Sequence, residues 1–307
     1  MSKDNVFDFM GKRYIAAVFS ILLLIGSVVS LAMNGLNFGL DFTGGTLVEL
    51  HYPQTANLES IRSEIKEGGY PNASVVNFGS DKDVLVRVQT DNPKLGDEIA
   101  QYLGEKSGQN VQRKRVEYVG PQVGEELRDM GGIGMLIALV VVLIYVAVRF
   151  QIKFSIGAVG ALAHDVVIVL GFFSVLQLDF DLTVLAAVLA VVGYSLNDTI
   201  VVSDRIRENF RVMRKGTAIE IINISLSQTL GRTLITSLTT LLVLVVLSIF
   251  GGEMIHNFAS ALIVGIVIGT YSSIYVAANV LLLMKITKED LIQPEVEKEG
   301  ADQEALM

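Results

Sequence analysis

Long apolar runs alternate with short charged connections along this chain, and the run lengths repeat. Six runs have the roughly 20 residues that cross about 30 Å of hydrocarbon as a helix; they occupy residues 14–33, 131–148, 154–178, 182–203, 233–252 and 257–284. Only His164, Asp165 and Asp198 place a carboxylate or imidazole inside them. The first run ends near Ser30-Leu31-Ala32 and could pass for a cleaved leader, but its apolar core is too long for one and five further runs follow.

Between the first two runs the period changes. "TLVELHYP" alternates as a strand, "NLESIRSEIKEGG" reads as a helix, and "ASVVNFG" and "DVLVRVQT" read as two strands around a Ser80–Asp83 turn. "PKLGDEIAQYLGEKSG" is again helical and "VQRKRVEYV" is a last strand. Gly68-Gly69 and Gly108 stand where helix C-caps belong, and Ile61, Ile65, Ile99 and Leu103 give the helices apolar faces. The order β-α-β-β-α-β predicts a ferredoxin-like domain. The expected fold class is thus a polytopic α-helical membrane protein with six transmembrane helices and one small α+β domain between helices 1 and 2.

Composition agrees with that pattern: 51% hydrophobic residues, 18% charged and a mean hydropathy of +0.52 exclude an ordinary soluble domain. Charge adds an orientation, because Lys and Arg of short connections stay cytoplasmic. Lys3, Lys12 and Arg13 precede the first run, Arg149 and Lys153 lie between the second and third, Arg205, Arg207, Arg211, Arg214 and Lys215 follow the fourth, and Lys285 and Lys288 follow the sixth. The alternate short connections, Asp179 to Asp181 and Glu253 to His256, carry none. Both termini are expected in the cytoplasm: 1–13 forms the N-terminus, 34–130 the outside (periplasmic) domain, 204–231 a cytoplasmic loop and 285–307 an acidic, solvated tail. The outside segment has more Asp and Glu than Lys and Arg, which argues against a nucleic-acid partner. With no cysteine in the chain, no disulfide supports it.

The chemistry lies in the membrane. A lone carboxylate near a bilayer centre costs roughly 2.5 to 3.5 kcal/mol on insertion scales, and Asp198 is the single formal charge of its run. It sits about 8 Å from the middle of that run toward the cytoplasm. Ala186, Ala190, Gly193 and Asn197 form a small-residue stripe beside it that permits close helix packing, so Asp198 is expected to face protein or a water cavity. Two readings stay open, a neutral Asp hydrogen-bonded between helices or a proton site. Arg232 opens the fifth run, and by position alone it is a positive-inside anchor. Antiparallel neighbours put it in the same half of the membrane as Asp198. His164-Asp165, near the middle of the third run, extends a proton path or forms a buried structural pair.

Lesser features have plainer readings. "TAIEIINISLSQTL", with Ile222, Leu226 and Leu230 on one face, suits an interfacial helix. "GIVIG" from Gly265 to Gly269, continued by Ser272 and Ser273, is a packed-helix pattern. Gly44-Gly45, after Asp41-Phe42-Thr43, marks either a turn into the first strand or a junction coupling the first span to the outside domain.

Three segments, "FGLDFTGGTLVEL", "GYSLNDTIVVSDRIREN" and "RTLITSLTTLLVLVVL", in this order and spacing resemble the SecD/SecF family of the resistance-nodulation-division superfamily, in the branch with one short outside domain. The resemblance covers nearly the whole chain. It implies a proton-driven auxiliary of protein export at the bacterial inner membrane, with protons as coupling ion and no metal, other cofactor or catalytic residue. Implied partners are a separate SecD chain, the SecYEG channel, YajC, the exported unfolded polypeptide and membrane lipid. Asp198 and Arg232 match the family's proton-pathway Asp and Arg, with Asn197, His164 and Asp165 as further candidates; Asp41, Thr43, Gly44 and Gly45 match its junction. Rival readings are a proton-coupled half-transporter of small molecules or lipids, a passive scaffold, and an intramembrane aspartyl protease using Asp165 and Asp198, although the Gly-x-Gly-Asp context of such a protease is missing.

Overall fold

The structure, a computed structural model, describes residues 6–71, 73–88, 90, 92, 94–213, 215–288 and 290. Arg214 and the tail beyond 290 lie outside them, as do residues 1–5, so the expectations for those segments have no structural counterpart here. Six described helices are long and apolar enough to cross a membrane: α1 (Arg13–Asn34), α5 (Pro121–Arg149), α6 (Ile152–Leu176), α7 (Leu182–Val212), α8 (Ala218–Phe250) and α9 (Glu253–Leu283). The extra length beyond the apolar runs has local causes. Pro121, which needs no amide partner at a helix start, opens α5 ten residues early. Thr217 and Glu220 form a capping box that starts α8 well ahead of its apolar stretch.

That early start corrects one expectation. The segment foreseen as an interfacial helix is the first part of α8, and Ile221, Ile222 and Leu226 are buried against Met10, Phe154, Ile206 and Phe210 rather than laid on a membrane surface. A second apolar core, around Phe173, Val184, Val188 and Val191, fills the other half of the bundle. Helices α6, α7 and α9 are the inner three: in each, half of the most apolar window is buried, against 6% in α5 and 17% in α8.

Strands β2 (Gly45–His51), β3 (Ser74–Phe78), β4 (Ser80–Val88) and β5 (Gln112–Val119), with α3 (Leu58–Glu67) and α4 (Leu95–Ser107), build the small domain. The sheet order β3-β4-β2-β5, antiparallel throughout, is the ferredoxin-like one. Its core gathers Val48, Leu50, Ile61, Ile65, Val84, Val86, Ile99 and Leu103. The turn between the middle strands differs from expectation: it falls at Gly79 (φ 73°), and the polar run Ser80–Asp83 is strand. Asp83 is held there by His51 Nδ1 at 2.6 Å from the adjacent strand β2 and by Lys114 Nζ at 2.7 Å from β5, one strand further on, which a turn could not offer. Burial alone would raise the Asp83 pKa; the hydrogen bonds from Lys114, Ser80 and His51 outweigh it and hold the carboxyl well below the usual range.

Candidate functional site

The N-terminal end of α7 ties the helix bundle to the sheet domain. Short β1 (Asn37–Phe38) pairs in parallel with β6 (Asp179–Phe180), and between β1 and β2 the one-turn helix α2 (Leu40–Thr43) carries Asp41. Asp41 Oδ2 accepts the Leu182 amide at 3.1 Å, so the junction caps the first turn of α7, beside Asp181, which accepts from Val184. Thr43 Oγ1 donates to Gly39 O at 3.0 Å and closes α2. Gly44 and Gly45 have φ of 66° and 120°, and a Cβ on Gly44 would lie 2.8 Å from Pro121 Cα at the start of α5. Entry to the sheet domain and exit from it therefore touch at Gly44. Phe42 stacks on Phe180 at 6.2 Å below this point. Asp179 forms an ion pair with Arg87 of β4, accepts from Asn37 Nδ2 at 2.7 Å, and offers its carbonyl to Asn257 at 3.2 Å.

Deep in the bundle, two carboxyl groups face α9. Asp165 on α6 is fully buried: its Oδ1 pairs with His164 Nδ1 at 2.9 Å, and its Oδ2 accepts from Ser195 (2.5 Å) and Ser272 (2.7 Å). Asp198 on α7, 7% exposed, accepts from Thr233 Oγ1 at Oδ1 and from Ser273 Oγ at Oδ2, both at 2.7 Å. Hydroxyls continue around it, with Ser237 2.7 Å from Thr270 and 3.3 Å from Tyr194. Arg232 is exposed and, among the described residues, makes no ion pair; it directly precedes Thr233, whose hydroxyl bonds Asp198. Asn197 is not brought to this cluster; it lies exposed, about 100° around α7 from Asp198.

The same is true of the small-residue stripe. Ala186, Ala190 and Gly193 are exposed, and α7 packs instead with Ala187, Val191 and Ser195. The space for close packing comes from the other helix. A Cβ on Gly265 of α9 would run into Val191, and one on Gly269 would lie 3.1 Å from Ser195 Cβ. The "GIVIG" pattern thus packs inside the chain. Ser195, Thr233, Ser272 and Ser273 were not foreseen as carboxyl partners; the spacing of Gly265, Gly269 and Ser272 along one face of α9 was the available signal.

A six-span membrane protein whose bundle core holds hydroxyl-ringed carboxyl groups, with a small sheet domain pinned to the end of the helix bearing one of them, has the build of a transport component. Residues 99–287 match the family described as "Protein export membrane protein SecD/SecF, C-terminal", and residues 29–56 match the SecD/SecF GG motif. The chain belongs to the SecD/SecF family of protein-export membrane proteins. Relatives named protein translocase subunit SecF include one from Pseudomonas aeruginosa, 53% identical with 95% of this chain and 96% of the relative covered, and one from Escherichia coli O157:H7, 45% identical with 99% and 95% covered. The crystal structure of the translocon-associated membrane protein SecDF from Thermus superposes with a TM-score of 0.84 at 38% identity, over 93% of this chain. The chain spans 40% of the length of that SecDF. The chain is accordingly a multi-pass SecF-type translocase subunit and not an enzyme, as expected from its sequence.

Proposed function

We propose that this chain joins a separate SecD chain to convert the proton-motive force into late steps of polypeptide translocation across the bacterial inner membrane, beside SecYEG and YajC. Both termini then lie in the cytoplasm and the sheet domain (34–130) in the periplasm, where the unfolded exported chain emerges. The single observation that carries this reading is Asp198, a buried carboxyl that among the described residues is met only by the Thr233 and Ser273 hydroxyls, with Arg232, the residue before Thr233 on α8, making no ion pair among the described residues. A dry site favours the neutral acid and an approaching guanidinium favours the carboxylate, so movement of Arg232 toward or away from Asp198 would alternate proton release and uptake. His164 and Asp165 extend the path inward. Protons are the coupling ion, and the pathway asks for no metal or organic cofactor.

The energy scale suits that role. One charge moved across 100 mV is worth roughly 2.3 kcal/mol, enough to shift a two-state equilibrium about fifty-fold. Movement at α7 would reach the domain through Asp41 on the Leu182 amide. In inverted membrane vesicles, Asp198→Asn is expected to leave insertion and partner binding intact and to abolish stimulation of export by the proton gradient. Normal gradient-driven export in that variant, at normal protein level, refutes the proposal.

A further inference from the structure

Ser272 and Ser273 are consecutive on α9, yet they serve carboxyl groups on two different helices. Each hydroxyl has one proton and two acceptors within reach. For Ser273 these are Asp198 Oδ2 at 2.7 Å and the Thr270 carbonyl at 2.9 Å; for Ser272 they are Asp165 Oδ2 at 2.7 Å and the Gly269 carbonyl at 3.1 Å. A hydroxyl cannot donate to both at once. The other partners of the carboxyl groups lack this choice: among the described residues the Thr233 and Ser195 hydroxyls meet only Asp198 Oδ1 and Asp165 Oδ2.

Resting on the proton reading above, we infer that Ser272 and Ser273 are positioning residues that keep both carboxyl groups hydrogen-bonded in either protonation state, and that the proton is taken up on Oδ2, facing α9. When Asp198 is ionised, Ser273 donates to Oδ2. When a proton binds, the carboxyl O–H donates to Ser273 Oγ, and the serine proton turns to the Thr270 carbonyl. Donor and acceptor numbers balance in both states, and α9 need not move. Ser272 does the same for Asp165, with Ser195 still donating to Oδ2. The titratable groups around the pair are His164 on α6, Tyr194 on α7, Arg232 on α8 and Tyr271 on α9, whose ring lies 6.2 Å from that of His164. Each of these can donate, but among the described residues none of them bonds Oδ2 of Asp198 or Asp165, whereas Ser273 and Ser272 do and each has a second acceptor close by. Glycine at 269 makes the arrangement possible, since the close approach of α9 to Ser195 puts two hydroxyls on one oxygen.

The test is infrared difference spectroscopy of the full chain in lipid vesicles, titrated with acid. A neutral-carboxyl C=O band that disappears in Asp198→Asn belongs to Asp198. Ser273→Ala should move that band to the higher frequency of a carboxyl O–H without an acceptor, and Ser273→Thr, which keeps the hydroxyl, should return it. A band that stays in place in Ser273→Ala overturns the inference while leaving the proton reading intact. The absence of any band lost in Asp198→Asn overturns both. Gradient-driven export should fall at least several-fold in Ser273→Ala and recover in Ser273→Thr; equal export by wild type and Ser273→Ala also counts against the inference.

Discussion

Asp198 and Asp165 announce themselves in the sequence because a charge in an apolar run has no cheap explanation. Their partners stay hidden for a physical reason: serine and threonine are neutral, frequent in such helices, and usually bond their own backbone, as Thr236, Thr239 and Thr240 do here. Nothing along the chain distinguishes Thr233 from these; its contact with Asp198 does. Arg232 can be tested at this same scale, because Lys keeps charge and orientation but not the planar fork. Arg232→Lys should insert normally and lose much of the gradient-driven export, and adding Asp198→Asn should cost little more, since residues of one unit are not additive. Additive losses would return Arg232 to anchoring alone. Outside the membrane, Ser-Asp-Lys-Asp has turn composition, while the side chains that hold Asp83 in a strand belong to His51 and Lys114, far along the chain. Since folding holds its pKa below the unfolded value, its contribution is present above about pH 4 and fades as pH falls through the folded-state value. Asp83→Asn should therefore weaken the domain by about 1 to 2 kcal/mol at pH 7 and by progressively less in acid. Hydrogen-exchange protection of β4, compared between variant and wild type at matched pH, reads this directly.

Among the elements, helix existence and strand order could be derived from period alone, whereas helix faces could not. The stripe on α7 was a sound small-residue pattern on the wrong side, because the glycines that let α7 and α9 meet belong to α9. Gly269→Val should push Ser272 and Ser195 apart and lower thermal stability in detergent by about 1 to 3 kcal/mol, as overpacking does. The same change at Gly193, exposed on α7, should cost far less. The junction glycines answer to backbone geometry. With φ of 120° at Gly45, valine there is strained by about 1 to 3 kcal/mol. Gly45→Val is expected to reach the membrane at near-normal level and to impair export; unimpaired export would separate the junction from coupling.

At the scale of the whole molecule, the span count and the single α+β domain follow from run length and alternation, but how the domain meets the bundle depends on contacts between residues more than a hundred positions apart, such as Arg87 with Asp179 and Asp41 with Leu182. Breaking the Arg87–Asp179 pair by Arg87→Ala should speed hydrogen exchange in residues 37–43 and 177–182 while the β2–β5 ladder stays protected. Equal exchange there would mean the pair restrains nothing. The meeting of Gly44 with Pro121 has a mechanical consequence of its own. Because the strand that enters the domain and the strand that leaves it converge on one spot, a load on the domain cannot stretch two separated tethers. It becomes a torque about a single pivot, with the Arg87–Asp179 pair as the stop that limits the swing.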